Sequence, residues 1–169
     1  MRERGFRFRR PTEEDIRHLA ESIREDDRRE LKRWTGQDAE YEIRRSVECS
    51  HACYAADFGD GSLACIFGAC RMNVLEGEAV IWMLSSKSVE RHPVEFYAGS
   101  KAGLDALCRA MPDVATFYNW VDTGYARACR WLERLGFDTP IRAALRAGVR
   151  GGTFRNYYYV NDHYRESED

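Results

Sequence analysis

The feature that most constrains the fold of this chain is an unbroken apolar run at residues 79–84 (AVIWML). A strand with one face in solvent alternates apolar and polar residues, whereas a strand covered on both faces does not. The run therefore predicts a central strand with chain packed on both sides of its sheet. Residues 52–58 and 62–72 precede it, separated by the turn signals 59–61 (GDG) and 76–78 (EGE). Together the three segments predict an antiparallel meander.

Helices and one strand are predicted before this meander. The alternation at Phe6–Arg9 is typical of a first strand. Thr12 is placed to cap a helix, with Asp15 three residues later as an imperfect capping box. The nearly continuous charge of residues 24–33 favours a solvated helical face, and residues 38–50 predict a second helix.

Two strand–helix units follow the meander. Pro93 is suited to the first turn of a long helix, which Met111 and Pro112 end. The remaining segments are a strand at 114–121, a helix at 124–135 with Gly136 as its left-handed cap, and a hairpin of 137–146 with 153–160. The resulting order, β-α-α-β-β-β-α-β-α-β-β, predicts a mixed α/β sheet flanked by helices. No linker or repeat divides residues 1–169, so we expect a single domain.

Composition excludes several classes of function. Twenty-six Lys and Arg against 28 Asp and Glu give a formal charge of −2, which removes the usual electrostatic case for nucleic acid or an anionic membrane. No apolar run approaches the ~20 residues of a membrane span, and no secretory signal is visible at the start. We therefore expect a soluble intracellular protein with six reduced cysteines. Residues 49–53 (CSHAC) lack a second Cys/His cluster, so no metal site is predicted.

The element order and residues 128–137 (ACRWLERLGF) resemble the GNAT (GCN5-related N-acetyltransferase) superfamily. The Leu-Gly-Phe ending of this penultimate helix is the most specific local motif. Residues 117–121 (FYNWV), which lead into the helix at Gly124, are similar to GNAT-like internal virion proteins of short-tailed phages. The resemblance implies binding of acetyl-coenzyme A (acetyl-CoA) and acetyl transfer to a primary amine of a small molecule or protein. The alternative is a non-catalytic virion or interaction protein, in the host cytoplasm or the virion, that retains the fold.

The resemblance also implies a cofactor site. In the family the fourth and fifth strands separate around the pantetheine arm, and backbone N–H groups after the fourth strand hold the pyrophosphate at a helix start. The residues so assigned are Met83, Leu84, Ser85, Lys87, Arg91, His92 and Asn119. The loop at 85–92 contains none of the family's glycines, and Pro93 lacks an N–H. An ordinary polar strand-to-helix loop is the other interpretation of these residues.

The resemblance specifies the catalytic groups less fully than the cofactor site. In the family a tyrosine at the position of Leu132 frequently protonates the departing thiolate, and leucine cannot do so. The resemblance leaves Tyr125 as a displaced acid, although a tyrosine in the first turn of an amphipathic helix needs no such role. For the general base, Glu78 is assigned, with Glu90, Asp122 and His92 as further candidates near strand ends.

Overall fold

A computed structural model describes residues 2–3, 6–73, 77–140 and 145–165 of the chain. Its helices and strands follow one another in this order: β1 (Arg2–Glu3), β2 (Phe6–Arg9), α1 (Glu13–Ser22), α2 (Glu25–Thr35), α3 (Ala39–Cys49), β3 (Ala52–Asp57), β4 (Leu63–Asn73), β5 (Glu78–Ser85), α4 (Pro93–Ala110), β6 (Thr116–Asp122), α5 (Ala126–Leu135), β7 (Leu145–Ala147) and β8 (Thr153–Val160). A short 3-10 helix, Lys87–Glu90, lies between β5 and α4.

The strands form one mixed sheet in the order β1-β2-β3-β4-β5-β6-β8-β7. Neighbouring strands are antiparallel except β5 and β6, which are parallel. A parallel pair needs a crossover connection, and α4 supplies it. The predicted mixed α/β fold is confirmed. Within the described ranges, no helix is long and apolar enough to cross a membrane.

Both faces of β5 are covered, as the apolar run predicts. Ile81 and Met83 pack into the core beneath α4, while Trp82 and Leu84 pack into the core beneath α1 and α3. Helix α4 approaches the sheet closely at Gly99, where an added Cβ would lie 2.3 Å from the Phe6 ring. The central strand is thus fixed from both sides, which holds its backbone in a defined register.

The start of α1 is tied to the sheet. Thr12 and Asp15 form the predicted capping box, with the Thr12 N–H donating to the Asp15 carboxylate at 2.7 Å. Arg9 on β2 bridges Asp15 and Asp57 at 2.6 and 2.7 Å. Burial raises the pKa of Asp15, but the hydrogen bonds from Arg9 and Thr12 outweigh it and lower that pKa to about 2. The N-terminal helices are therefore anchored by charge as well as by packing.

Two predicted segments differ from the structure. The interpretation of residues 24–33 as a solvated helical face was wrong in part. Glu25, Arg29 and Lys32 are exposed on a separate helix, α2, but Asp27 on that helix and Arg24, its N-cap, are each only 9% exposed. The polar groups of Asp27 and Arg24 face a cavity between strands rather than bulk solvent. In the predicted strand 137–146, residues 141–144 lie outside the described residues. Of the rest, Phe137 is a core residue and Asp138 forms an isolated antiparallel bridge to Tyr158 on β8; the paired strand β7, Leu145–Ala147, begins only at Leu145.

Candidate functional site

The central strands β5 and β6 separate after a short paired segment. They pair over Glu78–Val80 and Thr116–Tyr118 only. The Asn119 side chain follows, with its Nδ2 donating to the Ile81 carbonyl at 2.5 Å and its Oδ1 accepting from the Trp120 N–H at 2.6 Å. Beyond this point a cavity of about 870 Å³ opens between the two strands and helices α4 and α5.

The free edge of β5 faces this cavity. The Ser86 N–H donates to the Ala64 carbonyl of β4 at 2.8 Å. In an antiparallel pair, successive residues direct their N–H and C=O groups to opposite sides of the strand. The backbone groups of Ile81, Met83 and Ser85 therefore point away from β4 and toward β6. The Asn119 amide satisfies the Ile81 carbonyl, and the Ser85 N–H donates to Asp27 at 2.9 Å. Met83 lies between them in the part of β5 that no longer pairs with β6, so its N–H faces the cavity.

Helix α2 and its N-cap close one end of the cavity. Arg24 is the N-cap, and Asp27 and Glu30 follow at intervals of three residues on the helix. Asp27 accepts from the Ser85 N–H through one oxygen and from the Tyr125 hydroxyl, at 2.8 Å, through the other. Burial raises the pKa of Asp27 despite these hydrogen bonds. Burial and then the Asp27 charge raise the pKa of Tyr125. Asp27 thus joins the end of β5 to the start of α5.

Glu30 is the carboxyl whose ionisation is best matched to neutral pH. Burial, followed by repulsion from Asp27 and Asp122, raises its pKa to about 8. A base is most effective when its pKa lies near the working pH. Asp122 has a structural role instead, because it pairs with Arg33 at 2.7 Å and accepts from the Gly124 N–H at 2.8 Å.

Arg24 also lines the cavity, and its side chain has no hydrogen-bond partner within the described residues. The residue is 9% exposed, and its Nε is buried and unsatisfied. Its backbone N–H donates to the Ser85 carbonyl at 2.9 Å, which fixes the start of α2 beside the end of β5. The positive charge of Arg24 lowers the pKa values of Asp27 and Tyr125, but burial raises them by more.

The opposite wall is formed by α4 and α5. Arg127, Arg130 and Arg134 lie on one face of α5 and line the cavity with their side chains exposed. None of the three forms an ion pair within the residues described. Phe96 of α4 stacks on Trp131 of α5, with ring centroids 5.7 Å apart. This wall therefore combines an aromatic surface with a row of unpaired positive charge.

The loop expected to hold a pyrophosphate is a closed turn. Ser86 caps the 3-10 helix by accepting from the Ser88 N–H at 3.2 Å. The N–H groups of Val89, Arg91 and His92 donate to carbonyls within the same loop. The amides that the resemblance assigns to a phosphate are thus largely used internally.

The structure brings together only part of the predicted site. Met83, Ser85, Asn119 and Tyr125 line the cavity, as does Glu90. The residues that do not line it are Glu78, at the paired end of β5, Leu84, on the opposite face of the sheet, and the exposed Lys87 and Arg91.

His92 is also held away from the cavity. It stacks on Phe58 at 4.5 Å between centroids and lies 3.3 and 3.4 Å from Asp60 and Glu95. Phe58 and Asp60 are distant in sequence, whereas Glu95 lies in the first turn of α4, and together they direct the imidazole to the surface between α4 and the β3–β4 turn.

Sequence reasoning missed six charged cavity residues: Arg24 at the N-cap of α2, Asp27 and Glu30 on α2, and Arg127, Arg130 and Arg134 on α5. The signal for both groups was present as helical spacing. Positions three or four residues apart share a helix face; the α5 group repeats arginine at this spacing, and the other group places charged residues at it. What the sequence does not show is that these faces meet at a cavity.

Comparison with known proteins identifies the fold. No family model matches the sequence, and no curated protein matches it in sequence. The spermidine N-acetyltransferase of Vibrio cholerae in complex with CoA and spermine matches with a TM-score of 0.66 at 11% identity, covering 94% of this chain and 97% of that chain. A GCN5-related N-acetyltransferase from Brucella melitensis matches with a TM-score of 0.68 at 14% identity, covering 96% and 79%. The chain therefore has the fold of the GNAT acetyltransferases.

Proposed function

From the GNAT acetyltransferase fold, we propose that this protein is an acyl-CoA-dependent N-acyltransferase. One observation carries the proposal: β5 and β6 separate after three paired residues and leave a preformed cavity of about 870 Å³. Sites for cofactors and small molecules usually measure about 300–1,000 Å³. This cavity reaches from the arginines of α5 to the carboxyl groups of α2, so it offers one end to an anion and the other to a cation.

The residues present fit acetyl-CoA, with an altered phosphate site. The Met83 N–H on the free edge of β5 would hold a carbonyl of the pantetheine or acyl group, and Phe96 and Trp131 would cover its apolar stem. Arginine suits phosphate because its planar fork donates two parallel hydrogen bonds. Arg127, Arg130 and Arg134 would therefore hold the phosphates, in place of the amides that the closed loop uses internally.

The carboxyl end of the cavity would bind and deprotonate the acceptor amine. When bound, acetyl-CoA supplies a thioester whose C–S bond breaks as the amine nitrogen forms its bond to the acyl carbon. Glu30 would take the proton that the ammonium group must lose, because its raised pKa makes it a base near neutral pH. Tyr125, the candidate acid, donates its hydroxyl to Asp27, which thereby fixes its position relative to the end of β5.

Calorimetric titration with acetyl-CoA tests the cofactor site. We expect the protein with Arg127, Arg130 and Arg134 all changed to Gln to bind acetyl-CoA at least about tenfold more weakly, since charge-assisted phosphate contacts contribute over 1 kcal/mol each. Binding of acetyl-pantetheine, which lacks the nucleotide phosphates, should not change. Arg17→Gln, an exposed position on α1, is the matched control. Absence of heat and of a thermal shift with millimolar acetyl-CoA would refute the proposal.

The closed turn at 85–92 favours a second candidate, a non-catalytic virion or interaction protein that retains the fold. Its glycine-free sequence and internally bonded N–H groups are expected of a loop that no longer binds a pyrophosphate. This candidate predicts no binding of acetyl-CoA, together with detection of the protein by mass spectrometry in purified particles. Its location, host cytoplasm or virion, would follow from the same measurement.

A further inference from the structure

Arg24 is a buried cavity residue that the proposed reaction does not use. The residue is 9% exposed, its Nε is buried without a partner, and its guanidinium has no hydrogen bond within the described part of the chain. Nor does any ion pair of the described residues include it. Burying a charge in this state costs free energy unless something pairs with it. Arg24 lines the cavity, so a bound molecule can reach it from there.

The guanidinium of Arg24 determines which chemical group can pair with it. It is always protonated, carries five N–H donors and no acceptor, and matches a carboxylate in a two-point contact. The neighbouring carboxyl of Asp27 interacts with Arg24 only through its charge: its oxygens accept from Ser85 and Tyr125, and no hydrogen bond or ion pair within the described residues joins it to Arg24. A carboxylate brought by a ligand would satisfy Arg24.

We propose that the acceptor is a free amino acid, whose carboxylate binds Arg24 while its ammonium group lies against Glu30 and Asp27. This inference rests on the proposed N-acyltransferase function. Arg24 is the N-cap of α2, and Glu30 lies six residues further on, about 9 Å along the helix axis. Both side chains line the same cavity and can approach a small molecule from its two ends. One zwitterion would therefore satisfy both the unpaired cation and the carboxyl groups.

The same residue disfavours an acceptor that carries only positive charge. A guanidinium beside the amine site repels a second cation, because juxtaposed like charges are unfavourable at a desolvated contact. Arg24 thus makes this cavity unlike a site that binds polyamines. The carboxylate is assigned to the acceptor, rather than to a dicarboxylic acyl group of the donor, because Arg24 caps the helix that carries Glu30, the group that faces the amine.

The test compares acceptors that differ only in the carboxylate. Each of the twenty common amino acids is assayed with acetyl-CoA beside its amide. We expect kcat/KM for the preferred amino acid to exceed that for its amide by about a hundredfold, since a desolvated charge pair contributes a few kcal/mol. Arg24→Gln should reduce this ratio to near one, and Arg24→Lys, which keeps the charge without the fork, should leave an intermediate value. Arg29→Gln, exposed on the same helix, should keep the wild-type ratio.

The ratio is insensitive to the fraction of folded protein, so a loss of stability in a variant does not obscure it. An unchanged ratio in Arg24→Gln, or equal turnover of acid and amide by the wild type, would overturn the inference. A larger loss in Arg24→Gln with succinyl-CoA than with acetyl-CoA, at an unchanged acceptor ratio, would move the carboxylate to the donor and overturn it as well. Calorimetry with acetyl-CoA separates the two proposals. Binding without turnover of any amino acid overturns this inference alone, and no binding overturns the proposed function with it.

Discussion

Replacing Glu30 by Gln should remove much of the pH dependence of folding stability above pH 5. In the folded protein burial and the nearby carboxylates raise the pKa of Glu30 from 4.5 to about 8. Between these two values the unfolded chain releases the proton and the folded chain retains it. The folded state therefore binds more protons, and its stability falls as the pH rises through this window.

The size of the effect follows from the same two pKa values. A proton retained by only one state changes the free energy of unfolding by about 1.4 kcal/mol per pH unit. Because Glu30 begins to ionise in the folded state near pH 8, the loss between pH 6 and pH 8 comes to about 2 kcal/mol. Gln carries no proton to release. The free energy of unfolding of Glu30→Gln relative to wild type should thus increase by that amount across the interval.

Urea denaturation at pH 6, 7 and 8 measures this difference, and titration of the histidines cancels because both proteins share them. Glu21→Gln, an exposed position on α1, serves as the control and should show no change with pH. If Glu30→Gln and wild type lose stability in parallel, Glu30 ionises near its ordinary pKa. Burial would then not make Glu30 a base for neutral pH.

Two further predictions concern the framework of the cavity. Gly99→Ala should lower the free energy of unfolding by about 1–3 kcal/mol in urea denaturation, because its Cβ would overlap the Phe6 ring of β2. Gly59→Ala is the matched control, since nothing lies within 4 Å of a Cβ there. Equal effects of the two substitutions would show that close packing at Gly99 is not what matters. Arg9→Gln should cost about 2 kcal/mol at neutral pH by leaving the carboxylates of Asp15 and Asp57 unpaired. The lowered pKa of Asp15 stabilises the folded state above pH 3.8, and this stability is lost as the pH falls toward 2. On acid titration, the free energy of unfolding should therefore fall less in Arg9→Gln than in the wild type. An identical dependence on pH in the two proteins would count against the bridge.

The parts of the fold that the sequence predicts are those governed by local patterns. The run at 79–84 predicts a strand covered on both faces, because periodicity reports how many faces of an element are buried. The spacing of Thr12 and Asp15 predicts a capped helix start for a similar reason, since the groups that must be satisfied are three residues apart. Such features need no knowledge of what packs against them.

The polar part of the cavity could not be predicted in the same way. Asp27 and Glu30 look like surface residues in sequence, because polarity does not distinguish bulk solvent from a cavity. Their burial depends on where β5 and β6 separate, and that depends on contacts between residues far apart in the chain. His92 shows the converse. Its position beside a predicted phosphate loop favours a cofactor role, but Asp60 and Phe58 determine where its ring lies.

The side chain of Asn119 has a consequence for how the cavity exists before any ligand arrives. Separating two central strands exposes backbone groups that a sheet would otherwise pair, and each unpaired buried group costs free energy. Asn119 substitutes its own amide for the absent peptide group, since it donates to Ile81 on one strand and accepts from Trp120 on the other. The opening is therefore a stable feature of the free protein. A ligand entering it need not break a strand pair, so little of its binding free energy is lost to reorganisation.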